Sequence, residues 1–220
     1  MTFKIIADRK TTQETIDQLI AEIPGLFPIT VGISLVDSGE RYDAAPLLRP
    51  LPRSSRAHHY LSPPIAGEYL DGHGYLDVAE IEEILPLARS PETVLITHHS
   101  FAFSPRSAGD FFQDFLKDCD VSVVGHFGRT FYFAGEYSRS EKRVVLGLVN
   151  TPDENNVKIT AHELGHQYIR ENCESYLLPS GRACLMNPSG PTATDVAAVS
   201  MTFCGPCYAK LGIPIRVPIF

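Results

Sequence analysis

Apolar positions near the start of the chain switch between two periods. Residues 3–7 form a short apolar run that suits a buried strand, and residues 11–23 then place Ile16, Leu19, Ile20 and Ile23 at helical spacing. Pro24-Gly25 predicts the end of that helix, and the β-branched run 29–36 predicts the next strand. Residues 41–51 read as one or two helical turns interrupted by Pro46, and 52–74, rich in Pro, Ser, Gly and His, as an irregular loop inside one domain. Residues 77–89 are amphipathic, with Asp77 as N-cap and Glu80, Glu82 and Glu83 near the positive end of the helix. A strand at 93–97, a helix at 108–119 and strands at 121–125, 130–134 and 143–149 follow. The last two strands are separated by GEYSRSEK, which suits a hairpin, so one of them should run antiparallel to its neighbour. Strands alternating with helices predict a mixed, mostly parallel α/β sheet. No repeat or low-complexity segment interrupts this order.

From Asp153 the character changes. A helix at about 155–170 leads into a cysteine-bearing loop, a second helix at 192–203, and a CGPC that opens a last short helix. Hydrophobic residues make up 44% of the chain and charged residues 20%, which places it among ordinary globular proteins. A formal charge of −7 argues against nucleic acid or an anionic membrane surface as partner. No apolar run approaches the roughly 18 residues of a membrane-spanning helix. The opening residues lack the long apolar region of a cleavable signal, so the expected address is the cytoplasm. Of the cysteines, Cys173, Cys184, Cys204 and Cys207 fall in the last fifty residues while Cys119 stands apart. An odd count in such a chain disfavours a disulfide framework, and the clustering points to a thiolate metal site.

The chemistry-bearing motif is His162-Glu163-Leu164-Gly165-His166, an HExxH within the expected helix. Residues four apart share a helix face, so both imidazoles can reach one cation. Neutral imidazole is a good zinc ligand, and Glu163 can accept a proton from water activated there. The competing reading is a solvated helix face that happens to carry these residues.

After that motif come Cys173, then Cys184-Leu185-Met186, then Cys204-Gly205-Pro206-Cys207. Here the sequence resembles the archaemetzincin family of zinc metallopeptidases, whose signature is HExxHxxGxxHC, CxM, seventeen residues and CxxC. The interval from Met186 to Cys204 is seventeen residues (187–203). The resemblance implies a metzincin-like twisted mixed sheet with an antiparallel edge strand, packed helices, an active-site helix and a zinc-stabilised C-terminal part. It implies one domain over 1–220, with sheet and active-site helix in 1–170 and the cysteine part in 171–220. It also implies strand addition of an extended peptide, for which 130–134 is the candidate edge. In that scheme His162 and His166 hold a catalytic zinc, Glu163 is the general base, and Cys173, Cys184, Cys204 and Cys207 hold a structural zinc. Met186 takes the place of an apolar floor beneath the catalytic zinc; ordinary core packing accounts for it equally.

Two positions depart from the signature. Its glycine is Ile169 here, and its third histidine is Asn172. If the helix simply continued, position 172 would be rotated about 600° from His166 and face away from a shared cation. A β-branched residue in the left-handed conformation that a glycine adopts at a helix end would cost roughly 1–2 kcal/mol. A neutral amide is also a poorer zinc ligand than imidazole. The loop from Cys173 to Cys184 holds ten residues, where the family typically has four.

His98-His99 and His126 close predicted strands, where α/β proteins build sites, and are candidate replacements for the missing ligand; loop histidines bonded to backbone or water are the plainer reading. Glu171 is a further candidate, whereas His58, His59 and His73 carry no spacing signal. CGPC also permits a redox-active pair, although the segment before it reads as helix rather than strand. The expectation is therefore a zinc metallopeptidase acting on peptide or protein substrates. A fold-retaining module with only the cysteine-held zinc, binding peptides without cleaving them, is the alternative. A zinc-ribbon nucleic-acid binder lacks the basic stripe it needs.

Overall fold

Phe3, Ile5 and Ala7 of β1 (Thr2–Asp8) lie in one apolar cluster and Ile6 in another, so this strand buries both faces. In the computed structural model, which describes residues 1–49, 75–99, 101–103, 122–123, 134–138, 142–173, 177–188 and 193–211, two other strands share the property. Chain order after β1 is α1 (Gln13–Leu26), β2 (Ser34–Tyr42), β3 (Leu48–Arg49), β4 (Tyr75–Asp77), α2 (Val78–Ile84), β5 (Thr93–Thr97) and β6 (Phe101–Phe103). Then come β7 (Ser122–Val123), β8 (Ala134–Ser138), β9 (Arg143–Gly147), α3 (Glu154–Gly165), α4 (Ala193–Ala197) and α5 (Gly205–Lys210). In β5, Val94 and Ile96 face one cluster and Leu95 the other; Val144, Leu146 and Val145 do the same in β9. Strands covered on both faces are what a parallel sheet requires.

The main sheet has the order β2-β1-β5-β9-β8. Its first four strands are mutually parallel, and β8 pairs antiparallel with β9 at the edge. The antiparallel edge strand is therefore present, but of its described residues 134–138 only Ala134 belongs to the expected strand, and 135–138 fall in the stretch assigned by sequence to the hairpin. Four short strands form a second sheet, β3-β4-β6-β7, which the sequence pattern does not reveal. Ile16, Leu19 and Ile23 of α1 and Val157, Ala161 and Leu164 of α3 cover one face of the main sheet, and Val78 and Ile81 of α2 belong to the cluster on the other. The larger cluster continues without a break into Cys184, Met186, Cys204, Cys207 and Leu211. Among the described residues no helix is long and apolar enough to cross a membrane.

Several boundaries differ from the sequence expectation, each for a local reason. Helix α1 runs through Pro24 because its last turn delivers Phe27 into the core, where its ring lies 5.3 Å from that of Phe203. Strand β2 begins only at Ser34, since Val31 and Gly32 donate to the Pro28 carbonyl in a turn that Gly32 closes at φ +60°. Ile29, in the expected strand, is 99% exposed. Arg41 and Tyr42 extend β2, leaving only a 3-10 turn at Ala45–Leu47 of the expected helical segment. Pro86, which cannot donate to a helical bond, divides 77–89 into α2 and a 3-10 turn, with Asp77 capping α2 through the Ala79 amide. The helix expected at 192–203 is confined to Ala193–Ala197, because Ser200 turns back to donate to the Ala183 carbonyl. The irregular loop at 52–74, the helix at 108–119, and His58, His59, His73, Cys119 and His126 lie outside the described residues.

Candidate metal centre

Helix α3 is seated at both ends. Asp153 caps it through the Asn155 amide at 2.7 Å, and Asn156, with no exposed surface, ties the chain leaving β9 to the helix. Its Oδ1 accepts from the Val149 amide (3.1 Å) while its Nδ2 donates to the carbonyls of Val149 and Thr151 (3.1 and 3.0 Å). A buried amide with both ends satisfied specifies one arrangement, because leaving either end bare costs about 1–3 kcal/mol.

At the other end, the geometry of the histidines follows from two backbone carbonyls. His162 Nδ1 lies 2.9 Å from the Leu185 carbonyl and His166 Nδ1 lies 3.0 Å from that of Ile169. Carbonyls only accept, so both Nδ1 atoms carry the proton and donate. In the neutral ring each Nε2 is then a lone pair, and the two Nε2 atoms face one another at 3.2 Å. Two lone pairs at that separation repel unless a cation lies between them. A tetrahedral zinc with bonds of about 2.05 Å sets two nitrogens about 3.3 Å apart, so the pair fits the ion as it stands. Protonation is a poor substitute, since burial first and the neighbouring His166 second push the His162 pKa down to about 4. Glu163 between them is buried.

The helix ends earlier than expected, at Gly165. His166, Gln167 and Tyr168 make tight bonds to carbonyls three residues back, and Ile169 donates to Gly165 at 2.9 Å. No left-handed residue is needed. Ile169 is not among the positive-φ residues and lies fully buried in the larger core cluster. The chain thereby swings round within three residues, and the side chain of Asn172 comes near enough to His162 to work against the lowering of its pKa. Position 172 thus faces the histidine pair, contrary to the extrapolation from a continuous helix. Among the described residues, the other candidate ligands are engaged elsewhere. His98 contacts Thr11 (2.8 Å) and the Leu148 carbonyl, His99 approaches Asp8 (3.6 Å), and Glu171 is exposed beside Lys210 (3.9 Å).

The four cysteines converge as a second centre. Their sulfurs all lie within 4.8 Å of one another, with Cys173 to Cys204 at 3.6 Å and Cys184 to Cys207 at 3.7 Å. A tetrahedral zinc with bonds of about 2.3 Å separates its sulfurs by about 3.8 Å, so this set also fits. The Cys204 amide donates to Cys184 Sγ at 3.2 Å, the type of bond that stabilises a thiolate. Burial, and then the contact with Cys204, push the Cys173 thiol up to about 11. Burial likewise raises Cys207. Four thiolates cannot share this space without a cation to offset their charge. A disulfide-exchange site would leave a reactive thiol exposed, whereas Cys184, Cys204 and Cys207 are buried.

The turn at 184–187 lies between the two centres. Asn187 donates to the Cys184 carbonyl (2.8 Å) to close it, and Leu185 donates to Thr202 (3.0 Å). Met186 packs beneath the histidine helix: a β-carbon on Gly165 would meet its Sδ at 2.5 Å. Gly165, Leu185, Asn156 and Asn187 are contributors that sequence reasoning misses. Only Gly165, as a glycine inside a helix, carries a signal that something approaches closely.

No protein-family model matches this sequence, and no curated protein does. Among solved structures, archaemetzincin from Archaeoglobus fulgidus, crystallised with malonate, superposes with a TM-score of 0.51 at 18% identity over 96% of this chain and 99% of that one. The fold is archaemetzincin-like. At such identity the likeness speaks for the fold alone. Archaemetzincin from Methanopyrus kandleri (TM-score 0.48, 16% identity, 96% of this chain and 93% of that one) adds nothing to that assignment. Nor does a zinc-dependent peptidase from Methanocorpusculum labreanum (0.44, 13%, 95% and 99%). The archaemetzincin-like frame agrees with a parallel sheet closed by an antiparallel edge strand and followed by a four-cysteine group.

Proposed function

We propose that the chain is a zinc-dependent peptidase, with one catalytic zinc at His162 and His166 and one structural zinc at Cys173, Cys184, Cys204 and Cys207. The facing Nε2 atoms at 3.2 Å, with both Nδ1 protons committed to carbonyls, carry this reading. The Nδ1 bonds fix the tautomers and aim the free lone pairs, as partners of metal-binding histidines do. Zinc, when bound, supplies Lewis acidity that polarises a carbonyl and acidifies water. Glu163 holds the proton taken from that water at its carboxylate and delivers it to the leaving amine. Asn172 occupies the third position, where its amide orients water or substrate more readily than it ligates. The edge strand β8 offers backbone groups along which an extended peptide substrate can align. The net charge of −7 speaks against nucleic acid, and a cytoplasmic address suits the reduced thiols this reading requires.

A second reading rests on Asn172. Without a third imidazole the histidine pair holds zinc weakly, and the protein serves as a peptide-binding module with only the cysteine-held zinc. Elemental analysis of purified wild type, His162→Ala and Cys204→Ser distinguishes the two. Two zinc ions falling to one in His162→Ala support the peptidase. One zinc, unaffected by His162→Ala and lost in Cys204→Ser, would refute it in favour of the module. With two ions bound, Glu163→Gln should keep both and abolish peptide hydrolysis; retained turnover would remove Glu163 from its role.

A further inference from the structure

Every residue of the turn at 184–187 is bonded to one centre or to the other. Cys184 contributes its sulfur to the thiolate group, and that sulfur also accepts from the Cys204 amide at 3.2 Å. Leu185, one peptide later, gives its carbonyl to His162 Nδ1 at 2.9 Å. The Met186 carbonyl accepts from the Cys173 amide at 2.7 Å, and its side chain lies beneath Gly165 between the two histidines. Asn187 Nδ2 donates to the Cys173 carbonyl at 2.9 Å. Cys184, Leu185 and Met186 have no exposed surface, so the turn has no solvent to relax into.

We infer that the cation held by the four cysteines sets the cation affinity of the histidine pair, with the Leu185 carbonyl as the positioning group between them. The peptide plane bearing that carbonyl is clamped on both sides by cysteine ligands: Cys184 precedes it in the chain, and Cys173 holds the two residues that follow, Met186 through its amide and Asn187 through its carbonyl. Drawing the sulfurs onto one cation fixes the two clamps relative to each other. Without the cation, only weak sulfur contacts hold the four thiols together, and the clamps separate. His162 then loses the bond that aims its Nε2 at His166. Outer partners of metal-binding histidines typically govern affinity by about 10- to 100-fold, the size expected here. Coupling of this kind is reciprocal, so filling the histidine pair must tighten the cysteine site by the same factor. The inference rests on the reading that both centres bind metal.

Cobalt(II) titration of the full chain tests it, because thiolate coordination shows charge-transfer bands that nitrogen and oxygen coordination lacks. Wild type should fill both centres. Cys173→Ser, which weakens the thiolate site while leaving the backbone bonds of residue 173 available, should weaken the histidine pair about 10- to 100-fold. His162→Asn should loosen the cysteine site by a matching factor. Asn187→Ala keeps every ligand, breaks one clamp, and should also weaken the pair; it serves equally if Cys173→Ser fails to fold. Wild type that fills both centres, with histidine-pair affinity unchanged in Cys173→Ser and Asn187→Ala, would overturn the coupling alone. Cobalt bound only through thiolate in wild type would overturn both the coupling and the peptidase reading beneath it.

Discussion

Gly165 and Met186 meet so closely that a β-carbon on the glycine would stand 2.5 Å from the Met186 sulfur. The contact lies between the two histidines of the helix, with Phe203 behind it at 3.5 Å from the same point. Gly165 is the last residue of α3, and its missing side chain lets the turn from Leu185 to Asn187 close against the helix.

Gly165→Ala should therefore destabilise the protein despite its better helix propensity. Overpacking of this kind costs about 1–3 kcal/mol, against a propensity gain of at most about 1 at the last residue of a helix. Urea unfolding of the two proteins gives the difference. A variant as stable as wild type, with unchanged metal content, would mean that Met186 has room to move aside.

Restoring the two departures should give opposite results. Asn172→His adds an imidazole at a position whose side chain already acts on His162, and should raise cation affinity at the pair by about tenfold. Ile169→Gly instead removes a fully buried side chain from a position with no need of left-handed backbone, and should cost about 2–4 kcal/mol. Competition against a zinc indicator measures the first, and chemical denaturation the second.

The Asn156 side chain supports the start of the helix. Asn156→Ala leaves the Val149 amide without its partner and should cost about 2–3 kcal/mol, with loss of amide protection at Val149 seen by hydrogen exchange. Protection that persists at Val149 would show that the loop is held by other bonds.

His98 makes stability depend on pH. Burial first, opposed by its bond to Leu148, holds its pKa below the ordinary 6.5. Above 6.5 both folded and unfolded chains are neutral there. As pH falls below 6.5 the unfolded chain takes the proton first, so stability is lost. His99, lowered mainly by burial and with nearby Asp8 working against it, adds in the same direction. Between pH 7.5 and 5.5 the contribution of His98 is at most about 1.4 kcal/mol. His98→Gln, compared with wild type at both pH values by urea midpoint, should flatten the dependence by that amount or less; an unchanged slope would place the titration elsewhere.

Local pattern was enough for much of this protein. A short apolar run marked β1, and helical apolar spacing marked α1. The chemistry of HExxH and of four clustered cysteines was legible because ligand type and spacing are properties of the chain itself. Only tertiary structure decided the rest. Where α3 ends was settled by burial of Ile169, not by any capping residue, and that choice brings Asn172 round to His162. The second sheet escaped notice because strands of two or three residues leave no periodic trace. Leu185 went unseen as a partner of His162 because it acts through its carbonyl, which every residue possesses, so only the path of the folded chain selects it.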